Sequence, residues 1–265
     1  MIAIAAKTWR EVRILVYAYV VVLQAGVIAA IAMWPHLRTD IAALGRLIPG
    51  KFLQRMFAAM ADPDQATAYN AYLAVQLFFK GTNIVTLAFA VLLGTGIVAR
   101  ERENQTLEYL LARPVSRDRV LAAKFAVLAT ATVVPIFLTS MTAWPLSWMV
   151  EEHVDPARLF QASAHAAAFA LLFLALTTAA SVVGRTQVHV AAAVGAFIVV
   201  QVLVFFVQVI RAGSVFRLAD FDVFGPLLMG HQPFADVFVE RTIWLLAGAA
   251  VLFAVAVRTF RRIEP

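Results

Sequence analysis

The sequence predicts an all-α membrane protein: six transmembrane helices, both termini cytoplasmic, an interfacial helix at the N-terminus and a further helix between the second and third spans. Composition is the first observation behind this. Hydrophobic residues make up 62% of the 265 and charged residues 14%, where soluble domains hold roughly 45–50% and about 25%. No soluble fold of this length buries so much apolar surface, and the mean hydropathy of +0.83 agrees. The second observation is six stretches apolar enough to cross about 30 Å of hydrocarbon, a distance that takes about 20 helical residues. The third is unequal charge on the connections. Soluble globular enzymes, disordered chains and fibres are excluded. With no cysteine, disulfide frameworks, thiolate catalysis and Cys-based metal or iron–sulfur centres drop out.

In chain order, residues 1–13 are basic and half apolar, as an interfacial elbow helix would be. The six spans fall at about Ile14–Trp34, Asn83–Ala99, Phe125–Val150, Ala162–Val183, Val188–Ile210 and Thr242–Val257. The first is too long for a signal-peptide core and has no small-residue cleavage site, so it stays as an anchor. In the long connection 35–80, Ile41, Leu44, Ile48, Phe52, Met56 and Met60 recur at helical spacing, with Pro49 and Gly50 between them. That pattern predicts two short helices on the membrane surface. Pro135 and Pro145 predict a kink or break toward the outer end of the third span. The connection 151–161 is short. Residues 211–241, with Phe216, Phe221, Phe224, Gly225, Pro226 and Leu227, are expected to form a surface loop, a partly re-entrant hairpin being the alternative. There is no internal repeat, so residues 1–265 count as one membrane domain.

Loop charge sets the orientation. Thirteen of the 22 basic residues, among them Lys7, Arg10, Arg13, Arg100, Arg102, Lys124, Arg261 and Arg262, flank the spans on one side in short connections. The other side carries nine basic residues in longer connections, together with ten of the 16 acidic ones. Both termini are therefore assigned to the cytoplasm. The net charge of +6 sits where a membrane surface, not nucleic acid, is the partner.

Motifs for chemistry are weak. Gly45–Phe52, GRLIPGKF, fits the phosphate-loop pattern until Phe52 replaces the magnesium-binding hydroxyl, and no strand precedes it. Glu151 and Glu152 begin an EExxxR-like run with Pro156 at the Arg position, and a solvated loop edge accounts for them better. His36, His153, His165, His189 and His231 form no HExxH or i,i+4 pair, and no GxSxG elbow occurs. No charged residue falls in mid-span, which disfavours a proton- or sodium-coupled carrier. The span interiors hold neutral polar groups instead: Gln24, Thr86, Thr139, Thr178, Gln201 and Gln208 are candidates to line a path, and helix-to-helix bonding is the commoner use of such groups.

The most informative stretch is Ala99–Lys124, ARERENQTLEYLLARPVSRDRVLAAK. A mixed-charge run opens it, Leu107, Leu110 and Leu111 form a short apolar ridge, and Pro114 ends the helix. A helix this short is unstable alone in water, so it needs a surface, either a protein groove or lipid headgroups. The run ERENQTLEYLLARPVSR resembles the segment after the second span of ABC-2 type transporter permeases, roughly ERExGTLExLLxxPVSR. That resemblance implies a coupling helix that seats on a cytosolic ATP-binding subunit, with Glu101, Glu103, Thr106, Leu107, Glu108, Leu111, Pro114 and Arg117 as its residues. It also implies a second permease subunit, no cofactor on this chain, ATP and magnesium on the partner, and export across a bacterial inner membrane. Gln105 stands where the family has glycine, which should raise helix continuity there. The alternatives are a membrane scaffold that binds a cytosolic partner without transport, and a lipid-acting membrane enzyme, which lacks any paired carboxylate, metal cluster or nucleophile.

Overall fold

The structure, a computed structural model, describes residues 2–38, 41, 50–106 and 115–262, and every regular element among them is helical. Six helices are long and apolar enough to span a membrane: α1 (Ile2–Leu37), α3 (Gln65–Thr95), α5 (Arg117–Val150), α6 (Pro156–Val183), α7 (Gln187–Phe206) and α9 (Phe234–Arg262). Between them lie α2 (Lys51–Met60), α4 (Ala99–Glu103) and α8 (Phe221–Met229). An even number of spans returns both termini to one end of the bundle, the terminal end. The opposite end is the far end.

Along α1 the buried residues Thr8, Val12, Val16, Tyr19, Leu23, Val27, Ile31 and Trp34 step by three or four, drawing one stripe that packs on α5. The helix runs unbroken for 36 residues, about 54 Å. The expected N-terminal interfacial helix is therefore corrected: residues 2–13 continue the first span in line. No Gly or Pro interrupts this stretch, and a Lys7–Glu11 pair at 3.5 Å braces its exposed face.

The second span begins at Gln65, well before the expected Asn83. Asp64 caps it by accepting from the Thr67 amide at 3.0 Å. Residues 65–82 read as a loop because their hydropathy is modest, yet Tyr69, Tyr72, Leu73 and Phe78 are buried against neighbouring helices instead of lipid. Ala74–Thr82 is π-helical, and Lys80 thereby sits inside a continuous helix, on an exposed face. In α5 the helix passes through Pro135 and breaks at Thr142, shortly before Pro145, toward its far end.

Helix α6 is the centre of the bundle. Of its most apolar window 67% is buried, against 17% in α7 and 22% in α9. Ala166, Ala167, Ala168, Ala170 and Ala175 keep its surface low, so α3, α5 and α9 all approach it closely. Asp155 and Pro156 start it as N-cap and first-turn proline.

The connection 211–233 is not the expected surface loop. Phe221, Val223, Phe224, Leu227 and Leu228 of α8 are buried, against the π-helical stretch of α3 and against α6. Phe224 stacks on Phe78 at 5.3 Å and meets the edge of His165 at 5.4 Å. Nε2 of His165 donates to the Leu218 carbonyl at 2.7 Å, and Nδ1 meets the Thr242 hydroxyl at 2.8 Å. His165 lies about 13 Å along α6 from its first residue, so the hairpin reaches into the bundle. Of the two surface helices expected in 41–60, α2 is the second; the first, with Leu44 and Ile48, lies outside the described residues.

Candidate functional site

At the terminal end, α3 stops at Thr95 and the chain turns through Gly96–Val98 into α4. A turn at this depth leaves backbone groups that need partners. Ser181 of α6 supplies them: its hydroxyl accepts from the Val98 and Ala99 amides at 3.2 and 3.0 Å and donates to the Thr95 carbonyl at 2.8 Å. Lys124 of α5 donates to the Ile97 carbonyl at 3.0 Å.

The same ammonium lies 3.0 Å from Glu101 Oε1, which Lys7 of α1 also reaches at 3.3 Å. Thr106 donates to the other oxygen. Burial works against ionising Glu101, but the Thr106 hydroxyl, Lys124 and Lys7 together outweigh it and hold the carboxyl at about 2. One carboxylate thus ties the segment leaving α3 to α1 and α5. The next two residues serve other helix ends. Arg102 donates to the Val182 carbonyl at 3.1 Å and to that of Gly184, at the C-terminus of α6. Glu103 accepts from the Gln187 amide at 3.2 Å, at the N-terminus of α7. Each charge opposes the partial charge of the helix end it meets.

Gln105 has φ 55°. The Thr106 amide bonds the Glu101 carbonyl at 2.8 Å and the Gln105 amide bonds that of Arg102 at 3.1 Å, closing a left-handed C-terminal cap. The expected gain in helix continuity at Gln105 is corrected: the chain turns there, as glycine would let it. Leu107, Glu108, Leu111 and Pro114 lie outside the described residues. Beyond them Ser116 begins α5, where Asp118 pairs with Arg261 of α9 through both carboxylate oxygens and Arg117 reaches the Arg261 carbonyl at 3.4 Å. Both flanks of the 107–114 segment are therefore fastened to spans. A family model described as an ABC-2 family transporter protein matches residues 7–234. The chain belongs to the ABC-2 transporter family. No curated protein matches it.

As an ABC-2 family member the chain is a membrane-spanning transport component, with multiple passes through the bilayer. Its polar span residues do not gather. Gln24 bonds Thr142 at 2.9 Å, Thr86 bonds Tyr19 at 2.7 Å, and Thr139 bonds back to the Pro135 carbonyl at 2.8 Å. Thr178 is fully buried and its hydroxyl has no hydrogen-bond partner among the described residues. Gln201 accepts from the Val215 amide at 2.9 Å, fixing the entry to the far-end hairpin, while Gln208 is exposed beside α2. Glu151 is exposed but Glu152 is buried, so the solvated-edge expectation holds for the first and is corrected for the second. Glu152 accepts from Trp34 at 2.8 Å and Gln65 at 2.7 Å, clasping α1 to α3 at the far end.

The residues missed by sequence reasoning act over long separations. Ser181 meets Ala99 across 82 positions and Arg261 meets Asp118 across 143. No local pattern marks such pairs. Lys124 carried the one usable signal, a lysine at the edge of an apolar run.

Proposed function

We propose that this ABC-2 chain is the permease subunit of an exporter in a bacterial inner membrane, pairing with a second permease and driven by a separate cytosolic ATP-binding subunit. The observation that carries the reading is the double anchoring of the 107–114 segment. Before it, Glu101, Arg102 and Glu103 fasten the chain to α1, α5, α6 and α7. After it, Asp118 and Arg261 fasten α5 to α9. An ATPase that grips Leu107 and Leu111 therefore moves spans, not a slack loop, when it closes on nucleotide. Thirteen basic residues flank the spans at this end, which supports placing it in the cytoplasm.

Co-purification with the ATP-binding subunit encoded beside the permease tests the reading. The wild type should hold the ATPase and change its rate, while Leu107→Asp and Leu111→Asp should release it with the membrane fold intact. A wild type that binds no ATPase, or variants that bind equally well, would leave the scaffold reading in its place.

A further inference from the structure

At the far end the first turn of α2 and the end of α7 enclose a crevice of about 290 Å³, lined by Lys51, Phe52, Arg55, Phe206, Gln208 and Arg211 among others. One wall is rigid. The Arg211 guanidinium lies between the rings of Phe52 and Phe205, 4.1 and 4.5 Å from their centroids, and pairs with Asp220 at 2.6 Å and Asp222 at 3.5 Å. Arg55 reaches Asp222 at 3.4 Å. With Arg211 balanced by Asp220, the charge left over belongs to Lys51, which is exposed and forms no ion pair with a described residue. The first turn of α2 has no acidic residue and no side-chain cap, so its amides add to the same positive field.

Beside this cationic crevice the surface is apolar. Phe206 and Leu203 of α7 are 60% and 62% exposed, and Val209 just beyond is 93% exposed. A free anion would gain nothing from those side chains. An anion that carries hydrocarbon gains from both. We propose that the crevice holds the phosphate of an anionic phospholipid, with Lys51 as its counter-ion, Gln208 as a neighbouring donor and the acyl chains running down the exposed face of α7. This site stands apart from the ATPase-coupling segment, at the other end of the bundle.

The chain has no cysteine, so Val209→Cys, 93% exposed beside the crevice, takes a single environment-sensitive fluorophore and leaves Lys51 and Gln208 in place. The labelled protein in neutral detergent is titrated with short-chain phosphatidylglycerol, phosphatidylcholine and inorganic phosphate. Phosphatidylglycerol should give a saturable change that Lys51→Glu weakens about tenfold, Lys51→Arg preserves, and Arg10→Glu at the terminal end leaves alone. Phosphatidylcholine should bind more weakly and ignore Lys51→Glu. The proposal is overturned if the two lipids titrate alike, if Lys51→Glu matches the wild type, or if Arg10→Glu weakens binding as much. Inorganic phosphate reproducing the signal would make this a free-anion site and would overturn the lipid assignment.

Discussion

Gln105 holds a backbone conformation that glycine adopts freely and a residue with a Cβ adopts at a cost of roughly 1 kcal/mol. Gln105→Gly should therefore stabilise the protein by up to about 1 kcal/mol, read as a raised melting temperature in detergent. A lowered melting temperature would mean that the turn after α4 is not kept. Glu101 makes a pH prediction. Its folded-state value, about 2, lies below its ordinary 4.5, so the stabilisation is present above 4.5 and is lost as pH falls through that window toward 2. Melting curves taken across that window should fall for the wild type. Those of Glu101→Gln should start lower and stay flatter, because Lys124 is then buried with no carboxylate to meet.

Between elements, one close approach that decides packing is α3 against α6. A Cβ on Gly94 would stand 2.7 Å from Thr177 Cβ, a distance that forces the helices apart. Gly94→Ala should cost about 1–3 kcal/mol. Gly195→Ala in α7, where nothing lies within 4 Å, should be neutral or slightly stabilising. Equal melting of the two variants would remove the α3–α6 contact from the account. The six spans were legible because hydrophobic length is a local property. Their true lengths were not: Gln65–Lys80 is helical through burial against protein, whereas hydropathy scores only exchange with lipid, and in the mostly exposed Phe234–Thr242 the charges of Asp236, Glu240 and Arg241 hide the start of the last span. The far-end hairpin was illegible for the same reason, since the surface that buries Phe224 is supplied by Phe78 and His165. The run from Glu101 to Arg117 was legible as a family motif, whereas the clasp of Glu101 by Lys7 needs the bundle to bring two distant residues together.

For the whole molecule, the six spans put the start of α1, the end of α9 and the residues on either side of 107–114 at one end, and α2, Glu152 and α8 at the other. The orientation this implies is open to a direct check, since introduced cysteines have no native competitor. Arg10→Cys should react with an impermeant thiol reagent only after the membrane is opened, and Glu151→Cys, exposed at the far end, should react in intact cells. The reverse pattern would place the termini outside and overturn the proposed pairing with a cytosolic ATPase.

The buried position of α8 also bears on how the protein is made. Synthesis delivers α3 and α6 long before residues 215–229, yet Phe78 on α3 and His165 on α6 find their ring and carbonyl partners only in that later stretch. Nascent chains ending near Phe206 hold five of the six spans with an unfilled cleft between the second and fourth. Final closure of the bundle must wait for the hairpin to arrive from the far side. A ribosome stall or truncation before Leu218 therefore yields an inserted but unfinished protein, with an apolar groove and an unmatched histidine exposed to the membrane's quality-control proteases.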